Sequence, residues 1–283
     1  MGNTALRRRI PAFAAGLAAL ALTAGFAASP AQAVGKLKYV ALGDSYAAGQ
    51  GAGPYLDACY RSNNAYSELA DEEKAIQLVV NAACSGKTTW DVVNTQLSQL
   101  NKSTELVTIT AGGNNIGFGD IINYCGVVLA NLPPAPQCGG ALGQAEVQLQ
   151  SGLLESDLVA MIQSVRAAAP NAKIVLTGYP YLLDPIPAGL TDPAAQFIYT
   201  ATDLANRLDQ TIAAAAQEAD AALINDPKVQ YVDVRAAFLG HGALSPDPWI
   251  NLGTAPDGFH PNGDGYRLGY YDSLRSQRAF NLN

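Results

Sequence analysis

The sequence predicts an α/β fold in which helices cover both faces of a central parallel sheet of five strands. Short β-rich runs alternate five times with longer helical patterns, as in a parallel sheet with crossover helices. Of the 283 residues, 49% are apolar and 14% are charged, a composition typical of a packed globular body. Neither a repeat nor a linker-like stretch divides residues 34–283, so we expect them to form a single domain.

The predicted strands are short apolar, β-branched runs bounded by Gly, Pro or Asn, as expected of buried parallel strands. They are residues 36–43, 76–82, 105–111, 173–177 and 229–234.

Helical patterns lie between these strands, at residues 64–74, 88–100, 145–169 and 192–219, and after the last strand, at residues 265–280. In the second of them, Trp90, Val93, Leu97 and Leu100 recur every three to four residues and are expected to face the core. In the fourth, Asp192 is the expected N-cap. The proline-rich residues 131–140 are the exception to the alternation and are predicted to form a loop at the rim of a cleft.

The first 33 residues have the pattern of a cleaved secretory signal peptide. Arginines 7–9 precede an apolar run that ends in Ala31-Gln32-Ala33. The alternative is a retained transmembrane anchor, but the small residues and Pro30 favour cleavage near Ala33. The three arginines are also compatible with twin-arginine export, so the export route stays open. We therefore expect a secreted protein.

The acidic net charge argues against nucleic acids as partners. The formal net charge is −7, and without residues 1–33 it is −10, with 14 basic against 24 acidic residues. A nucleic-acid-binding protein needs a basic face, so that function is not expected. The same charge disfavours anionic membranes and leaves, at most, transient contact with a lipid surface. We expect a monomer that needs no cofactor and no metal.

Four cysteines, at positions 59, 84, 125 and 138, form an even set in an exported chain and predict two disulfides. Three pairings exist, of which the sequential one, Cys59–Cys84 and Cys125–Cys138, is the simplest. Zinc is the competing interpretation, but the spacings of zinc ligands are absent from the sequence.

Polar residues follow several of the predicted strands, at the sheet edge where ligands bind in such folds. Ser45 follows the first strand, Gly86 the second and Asn114 the third, while Asp257 and His260 follow the fifth. Each has an ordinary alternative as a helix cap, a turn glycine or a loop residue. Together they supply the hydroxyl, the oxyanion donors and the acid–imidazole pair of an acyl-transfer site.

The chain has two histidines, so a serine–histidine site has two candidate bases. Asp257 lies one turn before His260, where its carboxylate would reach Nδ1 and leave Nε2 to take a proton from a serine. His241 has no acid close before it in the sequence and is interpreted as a loop residue.

These blocks resemble the SGNH (GDSL) hydrolases over essentially the whole chain after residue 33. The blocks are GDSY at 43–46, the Gly86 turn, GGNN at 112–115 and DGFH at 257–260, in the family's order. The flanking residues YVALGDSYAAGQGAG and VTITAGGNNIGF are most similar to the secreted actinobacterial lipase/esterase branch. The resemblance implies a flavodoxin-like three-layer α/β/α sandwich. It also supports the sequential disulfide pairing.

The resemblance assigns a role to each residue. Ser45 is the nucleophile, His260 the general base and Asp257 the group that orients His260. The Ser45 and Gly86 amides and the Asn114 side chain form the oxyanion hole. Some members of this branch orient the histidine with a backbone carbonyl instead of an acid, so both orienting groups stay open.

The third block departs from the family pattern at one position. Asn115 stands where the family usually has Asp, a residue that supports the loop. The departure bears on the geometry of the loop more than on Asn114 itself.

We therefore expect a secreted serine hydrolase of carboxylic esters that forms an acyl-enzyme on a small-molecule or lipid ester. Triacylglycerols, phospholipids and simple esters remain open as substrates. Apolar residues 116, 118, 121 and 122, and those around 249–252, are candidates for an acyl groove or for ordinary core. The alternatives are a polysaccharide O-acetyl esterase, a non-catalytic binding protein on the same scaffold, and a signal-anchored adhesin.

Overall fold

The central strands of the sheet lie in the core of the chain. The computed structural model describes residues 1–2, 35–222, 228–253 and 256–282. Its strands are β1 (Leu37–Gly43), β2 (Ile76–Asn81), β3 (Leu106–Thr110), β4 (Lys173–Thr177) and β5 (Val229–Val232). All pair in parallel in the order β2-β1-β3-β4-β5, and every residue of β3 and β4 is buried. The predicted five-stranded α/β fold with flavodoxin-like strand order is confirmed.

Helices pack on this sheet as two layers. The helices are α1 (Ser45–Ala48), α2 (Tyr66–Asp71), α3 (Thr89–Asp91), α4 (Phe118–Cys125), α5 (Cys138–Gln150), α6 (Leu153–Ala168), α7 (Pro193–Ala221) and α8 (Asp272–Ser276). The α6 and α7 helices pack together, while α2 contacts β2 and the C-terminal helical segment. Tyr66 of α2 stacks on Tyr270, with ring centroids 5.4 Å apart, and donates or accepts a hydrogen bond with Thr110 of β3 at 2.9 Å.

The segment predicted as one helix at 88–100 differs from the prediction. It begins as α3, continues as a π-helix over Val92–Gln96 and ends as a 3₁₀ turn over Leu97–Gln99. The buried face consists of Thr89, Val92, Gln96 and Leu100 and so includes two polar side chains, while Trp90 is 69% exposed. The expectation that Trp90 faces the core is wrong.

The segment predicted as one helix at 145–169 is two helices. Gly152 has φ of +74°, a left-handed conformation that breaks the helix between α5 and α6. The α5 helix begins at Cys138, inside the stretch 131–140 that was expected to be a loop. By contrast, α7 begins as predicted, since the Ala195 N–H donates to the Asp192 side chain at 3.0 Å.

Both disulfides have the sequential pairing. Cys59 bonds to Cys84, which joins the loop after α1 to the loop after β2, and Cys125 bonds to Cys138, which joins the end of α4 to the start of α5. The expected signal segment, residues 1–33, lies outside the described residues except for its first two. Across the described chain, none of the helices has both the length and the apolarity to cross a bilayer.

Candidate active site

A sharp turn at the end of β1 presents Ser45. Gly43 has φ of +128°, and a Cβ at this position would lie 2.1 Å from the Thr110 carbonyl oxygen of the neighbouring strand. A side chain is therefore excluded, and the backbone turns into α1, of which Ser45 is the first residue. Ser45 is 7% exposed.

The Gln96 side chain holds this turn through two hydrogen bonds to Gly43. Its Oε1 accepts from the Gly43 N–H and its Nε2 donates to the Gly43 carbonyl, both at 2.8 Å. Sequence reasoning missed Gln96, because it followed the apolar residues of the segment, whereas the buried face includes this polar side chain.

Asp44 links the turn to two other strand ends. Its Oδ1 accepts from the Tyr46 N–H at 3.0 Å and its Oδ2 from the Tyr179 hydroxyl at 2.5 Å. The same hydroxyl accepts from the Gly113 N–H at 3.0 Å. Burial raises the pKa of Asp44 to about 7, against the opposing effect of these hydrogen bonds. Asp44 therefore holds the loops after β1, β3 and β4 together.

Ser45 and His260 lie within hydrogen-bond distance across 215 positions of sequence. The Ser45 Oγ is 2.8 Å from His260 Nε2, and His260 Nδ1 is 3.0 Å from the Gly258 carbonyl oxygen. Because the carbonyl can only accept, Nδ1 carries the proton and Nε2 is free to accept the serine proton. Burial lowers the pKa of His260 to about 4, although the Gly258 carbonyl and the Asp257 charge act in the opposite direction. The imidazole is therefore neutral at neutral pH, as a general base must be.

The Asp257 side chain is not where the sequence placed it. Its carboxylate accepts a hydrogen bond from the Tyr55 hydroxyl, and the Gly258 carbonyl takes the expected place at His260 Nδ1. The physical reason is the turn: the His260 N–H donates to the Asp257 carbonyl at 3.1 Å, and Phe259 is left-handed with φ of +58°. This backbone path brings a carbonyl to the ring in place of the carboxylate.

The three expected oxyanion donors are the Ser45 and Gly86 amides and the Asn114 side chain. As the first residue of α1, Ser45 has an N–H with no acceptor inside the helix. Gly86 has φ of +78°, and within the described residues its N–H has no acceptor from the protein. The Asn114 side chain donates one hydrogen to the Lys87 carbonyl at 2.9 Å, which leaves its second hydrogen for a ligand.

Asn115 holds the loop after β3 against the start of α3. Its Oδ1 accepts from the Thr89 N–H at 3.1 Å, and its Nδ2 donates to the Thr89 Oγ at 2.8 Å. The departure from the family pattern thus keeps a two-point contact next to Asn114.

Two apolar cavities are lined in part by the sequence neighbours of Ser45 and His260. The inner cavity, of about 40 Å³, lies between the loop after β3 and α7, and its lining includes Tyr46, Tyr179 and Leu208. The predicted groove residues Ile116, Phe118, Ile121 and Ile122 all line it. The outer cavity, of about 290 Å³, lies between α4 with its following turn and the loop before His260, where Leu252 and Phe259 line it.

Other groups around 241–250 belong to the core or to local loop contacts. His241 stacks on Trp249, with centroids 3.7 Å apart, and its Nδ1 contacts the Asp247 carbonyl at 2.8 Å. Ile250 is 1% exposed, so it packs in the core and does not line a groove. Among the described residues, His, Cys, Asp and Glu do not cluster in a way that could hold a metal ion.

Several known proteins are similar to this chain in sequence and in fold. Residues 41–268 match the GDSL-like Lipase/Acylhydrolase family. The chain is 34% identical over 266 residues to a protein called "Lipase" from Streptomyces rimosus, which covers 91% of this chain and 93% of that one. It is 34% identical over 269 residues to "Lipase 1" of Streptomyces coelicolor, covering 92% of this chain and 93% of the other.

Two solved structures are similar over most of their length. An extracellular lipase from Streptomyces rimosus superimposes with a TM-score of 0.73 at 31% identity, covering 84% of this chain and 98% of that one. A phospholipase A1 from Streptomyces albidoflavus superimposes with a TM-score of 0.70 at 34% identity, covering 85% and 99%. With the match to the family's sequence pattern, these likenesses show that the chain belongs to the GDSL-like lipase/acylhydrolase family, and it is a hydrolase of the lipase/esterase type.

Proposed function

We propose that the chain is a secreted carboxylic-ester hydrolase that acts through an acyl-enzyme on Ser45. The observation that carries the proposal is the 2.8 Å distance between Ser45 Oγ and His260 Nε2, with Nδ1 held by the Gly258 carbonyl. This is the geometry of an activated nucleophile beside an oriented base.

In the first half of the reaction, Ser45 Oγ attacks the ester carbonyl carbon while His260 Nε2 takes its proton. The carbonyl oxygen becomes an oxyanion that accepts from the Ser45 and Gly86 amides and from the Asn114 side chain. One such donor typically lowers the barrier by about 3 kcal/mol. His260 then returns the proton to the leaving alcohol as the carbon–oxygen bond breaks.

In the second half, a water molecule attacks the acyl carbon and gives its proton to His260 Nε2. The tetrahedral intermediate collapses, the bond to Ser45 breaks and Ser45 recovers its proton from His260. The products are a carboxylic acid and an alcohol, and the enzyme returns to its starting state.

The proposed machinery is a Ser–His pair with a backbone carbonyl as the orienting group. The Gly258 carbonyl has a fixed position, because the Phe259 N–H donates to the Asn251 carbonyl at 2.8 Å and the Tyr46 hydroxyl to the Phe259 carbonyl at 2.6 Å. The Asp257 carboxylate then acts on His260 through its charge and without a direct hydrogen bond.

The substrate class we propose is a lipid ester. The outer cavity, of about 290 Å³ and with a mostly apolar lining that includes Phe259, has room for an acyl chain longer than an acetyl group. Leu132 and Leu252, which line the outer cavity, are more than half exposed and would gain from burial against a chain. Similar proteins are named as lipases and as a phospholipase A1.

Secretion is proposed from the first 33 residues together with the description of the similar Streptomyces rimosus lipase as extracellular. N-terminal sequencing of the protein from culture medium should find a start close to Val34. A mature chain that retains the arginines would instead support the anchored alternative.

The test of the proposed function is a pair of serine variants. Ser45→Ala should keep the fold, lose labelling by a fluorophosphonate probe and lower hydrolysis of p-nitrophenyl esters by at least about 10³-fold. Ser85→Ala, which changes a neighbouring serine that the mechanism does not use, should label and turn over like wild type. Retained turnover in Ser45→Ala would refute the proposal.

The substrate class needs its own measurement. We expect kcat/KM for p-nitrophenyl esters to rise from two-carbon to longer acyl groups, and phosphatidylcholine or triacylglycerol to be hydrolysed. A preference for acetate esters, with turnover of acetylated xylan, would instead support the polysaccharide O-acetyl esterase.

A further inference from the structure

The Tyr55 hydroxyl lies between two segments that meet at His260: the glycine-rich segment, residues 49–53, and the histidine turn, residues 256–260. It donates to the Asp257 carboxylate of the histidine turn. It accepts from the Gly51 N–H of the glycine-rich segment at 2.9 Å. One hydroxyl group therefore bridges both segments.

Gly51 lies directly against the base. It has φ of +98°, and a Cβ at this position would lie 2.8 Å from the His260 Cβ and 2.4 Å from the Pro261 carbonyl oxygen. The Asn251 side chain donates to the Gly51 carbonyl at 2.9 Å. The hydrogen bond to Tyr55 thus holds a backbone segment that packs on His260.

The Asp257 carboxylate has two candidate partners. It belongs to the same tight turn as His260, and its charge already favours the protonated form of the ring. In the structure, however, it accepts from Tyr55 while His260 Nδ1 faces the Gly258 carbonyl. Without the Tyr55 hydroxyl, Asp257 would lose this donor, and the Nδ1–H of His260 would be the available replacement.

We propose that Tyr55 is a positioning residue whose hydroxyl holds the Asp257 carboxylate away from the His260 ring, so that the Gly258 carbonyl orients the imidazole. The inference rests on the proposed role of His260 as the base. It assigns to Asp257 the function of an anchor for the histidine turn, in place of a direct partner of the ring.

Other titratable groups near His260 belong to α1 with its N-cap and to the C-terminal π-helix, Gly265–Tyr271. From α1, the Tyr46 ring lies 5.1 Å from the imidazole, centroid to centroid. From the π-helix, the Tyr266 hydroxyl donates to the Gln50 carbonyl at 2.8 Å. Asp44 is buried behind Tyr46 with its carboxyl on Tyr179. Among the causes that shift the His260 pKa, Asp257 supplies the charge.

The test is an NMR titration of the histidine ring signals in the full chain. The two histidines give one reporter and one internal control, since His241 stacks on Trp249 away from these contacts. In Tyr55→Phe, the freed carboxylate should raise the midpoint of His260 by about one pH unit or more, as an approaching opposite charge does. The acid limb of kcat/KM should move to higher pH in parallel.

The double variant Tyr55→Phe/Asp257→Asn separates the proposal from a general loosening of the loop. Because the amide carries no charge, the midpoint should return to the wild-type value or below. Tyr60→Phe is the matched control, since Tyr60 packs edge-on to Tyr55 with centroids 5.0 Å apart, and it should titrate like wild type.

The proposal would be overturned by a Tyr55→Phe midpoint equal to wild type, or by a shift that persists in the double variant. If Tyr55→Phe does not fold, the His260 midpoint of Asp257→Asn decides, because removing a charge that is held away from the ring should lower this midpoint by less than about one pH unit. A fall of about two pH units or more would mean that the carboxylate bonds directly to the ring. The NMR titration needs no substrate, so it also reports on the proposal if Ser45 proves not to be the nucleophile.

Discussion

Gln96 is a residue whose contribution lies in two hydrogen bonds to one glycine. Gly43 pairs with Thr110 of β3 but lies beyond the last pair of β1 with β2, Ala41–Asn81, so its N–H and carbonyl need partners from elsewhere. The buried amide of Gln96 supplies both at 2.8 Å, and the Cys84 N–H adds a donor to the same carbonyl at 3.1 Å. The position of Ser45, two residues further on, depends on this turn.

Replacing Gln96 by leucine should therefore destabilise the fold. Leucine keeps most of the volume but leaves the Gly43 N–H buried without an acceptor, a loss of about 1–3 kcal/mol in the free energy of unfolding. Urea unfolding measures it, with Gln99→Leu, an exposed neighbour in the same segment, as the control. Equal stability of the two variants would contradict this role for Gln96.

At this scale the sequence predicted the two proposed reacting groups better than the residues that support them. Ser45 and His260 belong to short blocks with few alternatives, and the structure places them 2.8 Å apart. Tyr55 and Gln96 could not be predicted, because their roles depend on contacts across 202 and 53 positions between side chains of common types. The spacing of three residues between Asp257 and His260 does not specify which oxygen of the turn faces the ring, so the sequence left both orienting groups open.

At the scale of elements, the strand ends could be predicted and the helix details could not. Apolar β-branched runs of five to seven residues predict buried parallel strands with little ambiguity. The buried face of the segment 88–100 includes the polar Thr89 and Gln96, so the apolar pattern assigned Trp90 to the wrong face. The break at Gly152 was missed, because one glycine in a helical pattern costs only about 1 kcal/mol and does not by itself end a helix.

Asn115 shows how two elements share one contact. It fixes the loop after β3 to the start of α3 through Thr89, which is 2% exposed. The adjacent Asn114 therefore depends on this contact for the position of its amide.

Asn115→Asp should be tolerated, because a carboxylate can accept from both the Thr89 N–H and the Thr89 hydroxyl. We expect kcat within about 3-fold of wild type. Asn115→Ala removes both contacts, and a displacement of Asn114 of about 1 Å should lower kcat by about 10- to 100-fold with a smaller change in KM. Steady-state kinetics on one ester distinguish the two variants, and an alanine variant with full kcat would show that the loop does not need this contact.

At the scale of the whole molecule, buried acids join the layers of the fold. Tyr179, after β4, donates its hydroxyl to Asp44 at 2.5 Å and its N–H to Asp209 of α7 at 2.9 Å. Burial raises the pKa of both carboxyls to about 7, although Arg235 opposes this at Asp209 with its Nε 3.1 Å from Oδ2. The folded state therefore retains protons that the unfolded chain loses at lower pH.

The raised pKa of Asp44 makes the free energy of unfolding depend on pH. The pKa of Asp44 is about 7 in the folded protein and 3.8 in the unfolded chain. Between these two pH values, Asp44 therefore holds a proton in the folded state and loses it on unfolding. The free energy of unfolding therefore falls as pH rises through this window, by up to about 1.4 kcal/mol per pH unit for one group. His260, whose pKa is lowered to about 4, contributes the opposite slope below its unfolded value of 6.5, so the wild-type curve alone does not isolate Asp44.

Asp44→Asn removes this one contribution, since an amide does not titrate. The difference in the free energy of unfolding between Asp44→Asn and wild type should shift steadily in favour of the variant from about pH 4.5 to pH 7. This trend is expected whatever the substitution costs in stability at the lower pH. Urea unfolding at half-unit intervals of pH measures the difference, with Asp120→Asn, an exposed carboxylate on α4, expected to run parallel to wild type. If the Asp44→Asn and wild-type curves run parallel over this range, then Asp44 is ionised in the folded protein, and the Tyr179 hydroxyl and Tyr46 N–H outweigh its burial.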